Sequence, residues 1–222
     1  DWSSDVCSSD LDSAVKAVRQ TAGETAKYKG KIATTYYYST SSGRTTTTAA
    51  WGSTSSAATG YLKSVRVSGK NGDYEKNLPW YRWTVDVTAA RLSTILYKNT
   101  GKDVGSIRKI YISKRGPGKV ALELKVKGDK GNLTVKTENK IRSALAGDYD
   151  IRKQDGSKVK FRTLLPSAFI TITKKNSQIH IRGGGFGHGI GMSQTGANEM
   201  AKQGKTYKEI LKLFYSGITV EN

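Results

Sequence analysis

Three short runs in the middle of the chain, IRKIYIS, KVALELKVKG and GNLTVKT, alternate apolar and polar residues and are separated by the glycine turns RGPGK and GDKGN. A period of two puts every second side chain on one face of an extended strand, and the tight turns bring each strand back beside its predecessor. This predicts an antiparallel meander. SAFITITKKNSQIHIRG predicts a further hairpin turning at KKNSQ, and the stretch from Ala14 to Gly43 reads as β-like around the turn YKGK. Helical signals interrupt the strands. Thr88 to Asn99 sets Leu92, Ile95 and Leu96 on one face, with Thr88 as cap and Gly101 just beyond, while TENKIRSALAG reads as a short helix ended by Gly147. Two helices close the chain, ANEMAKQG with its stop at Gly204 and TYKEILKLFY behind a Thr206/Glu209 capping box. The expected fold is α+β, mostly antiparallel hairpins and meander with a few short helices, two of them C-terminal. No repeat of fixed period is present, which excludes a solenoid or propeller.

With 36% hydrophobic residues in 222, the chain can bury a core. Lys and Arg number 37 against 18 acids, a net charge of +19, so attraction to a polyanion is the physical default: nucleic acid, anionic lipid or an anionic cell envelope. The cations are scattered, and both a solvated basic surface and a binding stripe fit that spread. Nucleic acid is not expected as the partner, since no basic helix or aromatic recognition motif accompanies the charge. The Ser/Thr/Gly-rich run from Ser39 to Gly60 carries Trp51, which argues for an ordered loop over a flexible linker.

The opening DWSSDVCSSDL has no apolar period and resembles the translated product of a synthetic sequencing adapter. Residues 1–12 are therefore expected to be an artefactual tail and 13–222 a partial domain. Cys7, the one cysteine, would then be foreign, leaving no disulfide, thiolate nucleophile or cysteine ligand. No stretch approaches the ~20 apolar residues of a spanning helix. A signal peptide or membrane anchor is left open.

The glycine-rich stretch GGGFGHGIGMSQTGA, from Gly183 to Ala197, fits neither a dinucleotide fingerprint in any register nor a phosphate loop, for no lysine follows until Lys202. His188 and His180 are the two histidines, and their spacing, with no Asp, Glu or Cys nearby, gives no metal site. For His188, a backbone-bonding role within the loop and a substrate-binding role both stand.

The run from Gly185 to Gly217 resembles the C-terminal signature of the SpoIID/LytB family, G-x-G-x-G-H-G-x-G-M-S-Q-x-G-A followed by M-A-x-x-G and I-L-x-x-Y-Y-x-G. Gly187, His188, Met192, Ser193, Gln194 and Gly196 match it, and Phe214 replaces an aromatic. A second block, from Thr21 to Thr45, resembles the family's T-x-G-x-x-x-x-Y-x-G-K-x-I and Y-x-S-x-S-G-G-x-T segments, with Ser42 where a glycine is common. The resemblance spans roughly Ala14 to the end. It implies a peptidoglycan-acting lytic transglycosylase outside the membrane, at the cell wall or the membrane's outer face, in some members during sporulation. It needs no cofactor and no metal. Glycan strands are the implied partner, with other cell-wall hydrolases a further one. The alternative is a non-catalytic wall-binding or amidase-enhancer module.

In that chemistry one carboxylic acid of raised pKa protonates the glycosidic oxygen and then takes a proton from the sugar's own hydroxyl. The family's glutamate lies in a V-x-x-E-hydrophobic-P motif, and neither that motif nor the alanine-rich helix after it occurs here. No catalytic residue is therefore assigned, and the expected domain lacks its N-terminal catalytic segment. Glu24 and Glu75, the candidate substitutes, read as solvated surface charges, although Glu75 has aromatic neighbours able to stack on sugars. The resemblance places substrate-binding donors and acceptors at His188, Ser193 and Gln194, with Ser39, Ser41 and Thr45 facing them from the earlier block.

Overall fold

The structure is a computed structural model that describes residues 8–53 and 57–222. Its chain divides into two compact units. One comprises the N-terminal residues through Thr34 together with Gly217–Asn222. Here helix α1 (Ser8–Gln20) leads into a hairpin of β1 (Thr25–Tyr28) and β2 (Lys31–Ile32), and the C-terminal strand Thr219–Glu221 pairs antiparallel with β1, Thr25 opposite Glu221.

The YKGK turn forms as expected, but the β-like reading of Ala14–Gln20 is corrected: the segment is helical. Ala14, Lys16, Ala17, Arg19 and Gln20 are good helix formers, and Val15 and Val18 lie three apart, a spacing that suits one helix face. The helix also runs through position 12, the expected edge of a foreign tail. Asp1–Cys7 lie outside the described residues.

The second unit, Thr35–Ser216, carries most of the chain. In order it holds β3 (Tyr37–Tyr38), the small hairpin β4 (Ser68–Gly69) and β5 (Gly72–Asp73), β6 (Trp83–Thr88), α2 (Ala89–Thr100), β7 (Ile107–Arg115), β8 (Ala121–Gly128) and β9 (Asn132–Lys136). Then come α3 (Glu138–Ala144), β10 (Asp150–Lys153), β11 (Lys158–Lys160), β12 (Ile170–Lys175), β13 (Gln178–Gly183), β14 (Met192–Ser193), α4 (Gln194–Lys202) and α5 (Tyr207–Phe214). The meander is β7-β8-β9, antiparallel throughout, and a five-stranded antiparallel sheet runs β11-β10-β6-β13-β12. The fold is α+β, with two helices near the C-terminus.

Alternation does the work in the central strands. Trp83, Val85 and Val87 of β6 are buried while Asp86 and Thr88 are exposed, and opposite them Ile181 and Ile179 of β13 are fully buried. Leu124 and Val126 of β8, Leu92 and Leu96 of α2 and Ile141 of α3 extend the same core. Each such aliphatic, fully buried, contributes about 1.5–3 kcal/mol. The helix ends follow their caps. Thr88 accepts from the Arg91 amide at 3.2 Å, and Thr206 and Glu209 form a reciprocal capping box. Helix α4 begins three residues before the expected Ala197, because the Ser193 hydroxyl caps it by accepting from the Gly196 amide at 3.3 Å.

In the Ser/Thr-rich run the described residues 39–53 and 57–60 are placed, as the ordered-loop reading expects. Thr40, Ser41, Thr45, Thr46 and Thr48 are buried, and Thr48–Trp51 makes one 3-10 turn. Buried hydroxyls need internal partners: Thr45 donates to Lys63 O at 3.2 Å and Thr40 meets the Ser39 and Thr195 hydroxyls at 3.1 and 3.2 Å, while the Thr46 hydroxyl has none among the described residues.

Candidate functional site

After β13 the chain runs along the Tyr36–Thr46 segment and is stitched to it by backbone hydrogen bonds. Thr40 and Phe186 exchange both bonds (3.0 and 2.7 Å), the Thr46 amide reaches Gly189 O (2.7 Å), and the Met192 amide reaches Tyr36 O (3.0 Å). Beyond it β14 pairs parallel with β3, Met192 opposite Tyr37 and Ser193 opposite Tyr38. This approach explains the alternating glycines. Gly191 has φ +76° and a Cβ there would lie 2.0 Å from Tyr36 O; at Gly185 (φ +77°) it would lie 2.7 Å from Thr40 O. Within the second unit, the Tyr36–Thr46 part of the first block and the glycine stretch thus pack as one piece.

At its centre sits Glu75, which is completely buried. Its Oε1 accepts from the Ser41 amide (2.8 Å), the Ser193 hydroxyl (2.6 Å) and the Thr195 hydroxyl (2.6 Å). Its Oε2 has no hydrogen-bond partner among the described residues. Burial pushes the carboxyl above its ordinary value, and the three donors pull back without cancelling the effect. The reading of Glu75 as a solvated surface charge is therefore corrected. Three donors from the Ser/Thr blocks replace its water, and the hairpin β4–β5 and the 3-10 turn Pro79–Tyr81 flank it in sequence. A raised pKa suits an acid catalyst, but a fully buried carboxyl cannot touch a sugar. Glu75 positions Ser41 and the start of α4.

The other residues divide plainly. Ser41 and Ser193 are buried against Glu75, and Ser39 joins the same cluster through its carbonyl, which accepts from the Thr195 amide at 3.0 Å. Thr45 faces away from Glu75: its hydroxyl donates to Lys63 O (3.2 Å) and accepts from the Val65 amide (2.9 Å). Gln194, the first residue of α4, is exposed.

His188 lies half-buried beside the rings of Trp51 (5.2 Å between centroids) and Tyr38 (5.6 Å). Its Nδ1 accepts from the Ile190 amide at 3.1 Å, which leaves Nε2–H to donate to Tyr37 O at 3.0 Å. Burial, aided by the Arg142 charge and opposed by the bond to Tyr37 O, holds its pKa below the ordinary value, and both nitrogens are engaged. That geometry holds the loop and leaves no nitrogen for a metal or a substrate proton. Beneath Trp51, Glu138 and Arg142 form a buried ion pair at 3.2 Å, and the Arg142 Nε donates to Leu165 O at 2.8 Å. Burial raises the Glu138 pKa against the opposing pull of Arg142. Among the described residues, no three His, Cys, Asp or Glu gather to hold a metal ion.

Two features border the glycine loop. In the first, Trp80 stacks on Phe186 (5.0 Å, 27°), with Phe161 packed against both at 5.7 and 5.4 Å and the Lys153 ammonium 5.2 Å over the indole. All three rings are half-exposed. The second is a groove of about 490 Å³ in which Ser42, from the first block, meets Gly183 and Gly184.

With this geometry in place, the chain can be set beside known proteins. It is 30% identical to the amidase enhancer of Bacillus subtilis (strain 168), over 92% of this chain and 32% of that protein. It is 30% identical to stage II sporulation protein D of Bacillus amyloliquefaciens, over 99% of this chain and 54% of that protein. A Brachyspira hyodysenteriae protein, BHWA1_00569, is 29% identical over 94% of this chain and 48% of that protein. The family described as "Domain of unknown function (DUF8618)" matches residues 57–191, more than half of the chain. The chain belongs to that family and is SpoIID/LytB-like. It spans between about a third and a half of the curated relatives it matches. The DUF8618 match begins after the Ser39–Thr45 block and ends within the glycine stretch, at Gly191, so it takes in Glu75, Trp80 and His188.

Sequence reasoning missed Glu75, although a signal was present. Between Glu24 and Asp86 the only acids are Asp73 and Glu75, in a region crowded with Ser and Thr donors.

Proposed function

We propose that this chain is the glycan-holding part of a peptidoglycan-acting, SpoIID-like protein of cell-wall remodelling, working outside the cytoplasmic membrane and in the setting of sporulation. The names of its relatives, an amidase enhancer and a sporulation protein, support the wall as its place of action. The observation that carries the reading is the groove where Ser42 meets Gly183 and Gly184, with the ring platform of Trp80, Phe161 and Phe186 two residues further along the loop. Half-exposed aromatic rings offer apolar faces to pyranose rings, and the adjoining backbone and hydroxyls offer hydrogen bonds to sugar hydroxyls and amides.

In the whole protein the activity is that of a lytic transglycosylase, one glutamate serving as acid and then base. Glu75 and Glu138 do not fill that role, since both are buried and committed to protein partners. That commitment favours a second reading for this chain taken by itself, a non-catalytic module that holds glycan and assists a wall hydrolase. The test is binding and cleavage of purified, peptide-free glycan strands. Binding by the chain, weakened at least about tenfold by Trp80→Ala, supports the holding role. Release of anhydro-sugar ends by the chain alone would overturn the division of labour, and absence of glycan binding would overturn the reading itself.

A further inference from the structure

The groove beside the glycine loop is ringed by cations. Arg82, Arg115, Lys119 and Arg182 line it, and an adjoining hollow of about 510 Å³ shares its Ser42, Gly118 and Lys119 walls and adds Arg44 and Arg66. Asp73 lines the second hollow and already accepts the Tyr81 hydroxyl at 2.6 Å. Among the described residues, none of the six cations makes an ion pair with a carboxylate.

Their placement is built. Arg44 and Arg66 stand directly opposite each other across an antiparallel bridge, an arrangement in which like charges repel. Arg115 is held by two backbone carbonyls, donating to Lys119 O at 2.8 Å and Ile170 O at 2.9 Å. Arg82 lies over the Tyr81 ring at 3.8 Å and donates to Ser42 O at 3.1 Å. These bonds fix the side chains without neutralising them. Elsewhere Lys27, Lys125, Lys130, Lys158, Lys160, Lys202 and Lys205 all reach an acid.

We propose that this double groove binds an anionic wall polymer through a row of its oxyanions, phosphodiester or carboxylate. Five of the six cations are arginines, whose planar forks match either oxyanion with paired hydrogen bonds. A groove carrying six cations against one acid concentrates an extended polyanion, while a single small anion would leave most of them unmatched. Part of the chain's net charge of +19 thereby acquires a local use. The proposal rests on the wall-glycan reading above and adds to it: the same loop would hold the sugar backbone and read the anions hung on it or lying beside it.

The experiment measures binding of the chain to three fluorescent polyanions matched in charge number, poly(glycerol phosphate), poly-glutamate and duplex DNA, against NaCl concentration. Neutral glycan strands are measured in parallel. The groove variant Arg66→Ala/Arg82→Ala/Arg182→Ala is compared with Lys98→Ala/Lys127→Ala/Lys212→Ala, which removes three exposed charges from elsewhere. The expected result is a loss of polyanion binding at least tenfold greater in the groove variant and a salt slope shallower by about one per contact removed, with neutral-glycan binding weakened far less than polyanion binding. Preference for the phosphate or the carboxylate polymer over DNA supports the proposal and names the source of the oxyanion. Equal losses in the two variants, or tighter binding of DNA than of either wall-type polymer, would overturn it. Loss of neutral-glycan binding in the unaltered chain would instead strike the underlying reading.

Discussion

Replacing Glu75 by alanine tests whether this acid holds the two sequence blocks together. In the native fold its Oε1 takes three donors at 2.6–2.8 Å. After truncation the Ser193 and Thr195 hydroxyls can turn to Ser39 O, at 3.3 and 3.1 Å, and lose only part of their bond energy, about 0.5–1.5 kcal/mol each. The Ser41 amide has no such recourse, and a stranded buried donor costs about 1–3 kcal/mol. The vacated space adds about 1 kcal/mol, and release from burying a carboxyl offsets some of the total. The net expectation is a destabilisation of about 3–4 kcal/mol, read as a lowered urea midpoint at unchanged slope. Glu75→Gln keeps one acceptor and should lose about half as much. The raised pKa has a further consequence. The folded chain holds the Glu75 proton to higher pH than the unfolded chain does, so wild-type stability falls relative to Glu75→Gln as pH rises from 4.5 through the raised value. A Glu75→Ala variant within about 0.5 kcal/mol of wild type, the range of exposed surface changes, would refute the reasoning.

Three further outcomes follow from the same geometry. Gly191→Ala drives a methyl to 2.0 Å from Tyr36 O at a positive φ and should destabilise by roughly 2–4 kcal/mol, whereas Gly204→Ala, at φ +82° but with open space around it, should cost about 1 kcal/mol; thermal melts of both variants compare them. His188 should titrate below 6.5 by NMR, because burial and Arg142 disfavour its charged form, and a midpoint at or above 6.5 would contradict its placement. Arg142→Met leaves Glu138 buried without its cation and should cost about 3–5 kcal/mol, whereas the double change Arg142→Met/Glu138→Gln should recover a large part of it, as a double-mutant cycle would show.

What the sequence made legible was local. The alternation in KVALELKVKG, the Thr88 and Thr206 caps and the stop at Gly204 each specify their element within a few residues, and each appears in the fold. Ala14–Gln20 defeated the same reasoning because AVKAVRQ, alternating small or apolar with polar residues, satisfies helix and strand patterns alike over seven residues. Glu75 left only a faint mark, as one of two acids between Glu24 and Asp86, and was misread for a different reason. Its three donors come from positions 34, 118 and 120 residues away, so nothing within its own stretch records its burial. The glycine stretch lay between these cases. Its residues marked it as special, but the reason for glycine at 185 and 191, a backbone passing within a methyl's width, exists only after the Tyr36–Thr40 segment has packed against it. The roles of Ser41, Ser193 and Thr45 show the same limit, for a serine that bonds a sugar and a serine that bonds a buried carboxylate read identically in sequence.

The most direct test of the account is an NMR titration of the isotope-labelled chain with short peptide-free glycan strands. Saturable shifts at the Trp80 indole, Phe186 and the Gly183–Gly185 amides, with Glu75-bound Ser41 unmoved, are the predicted result. Saturable shifts confined to other surfaces, or none at millimolar glycan, would contradict it.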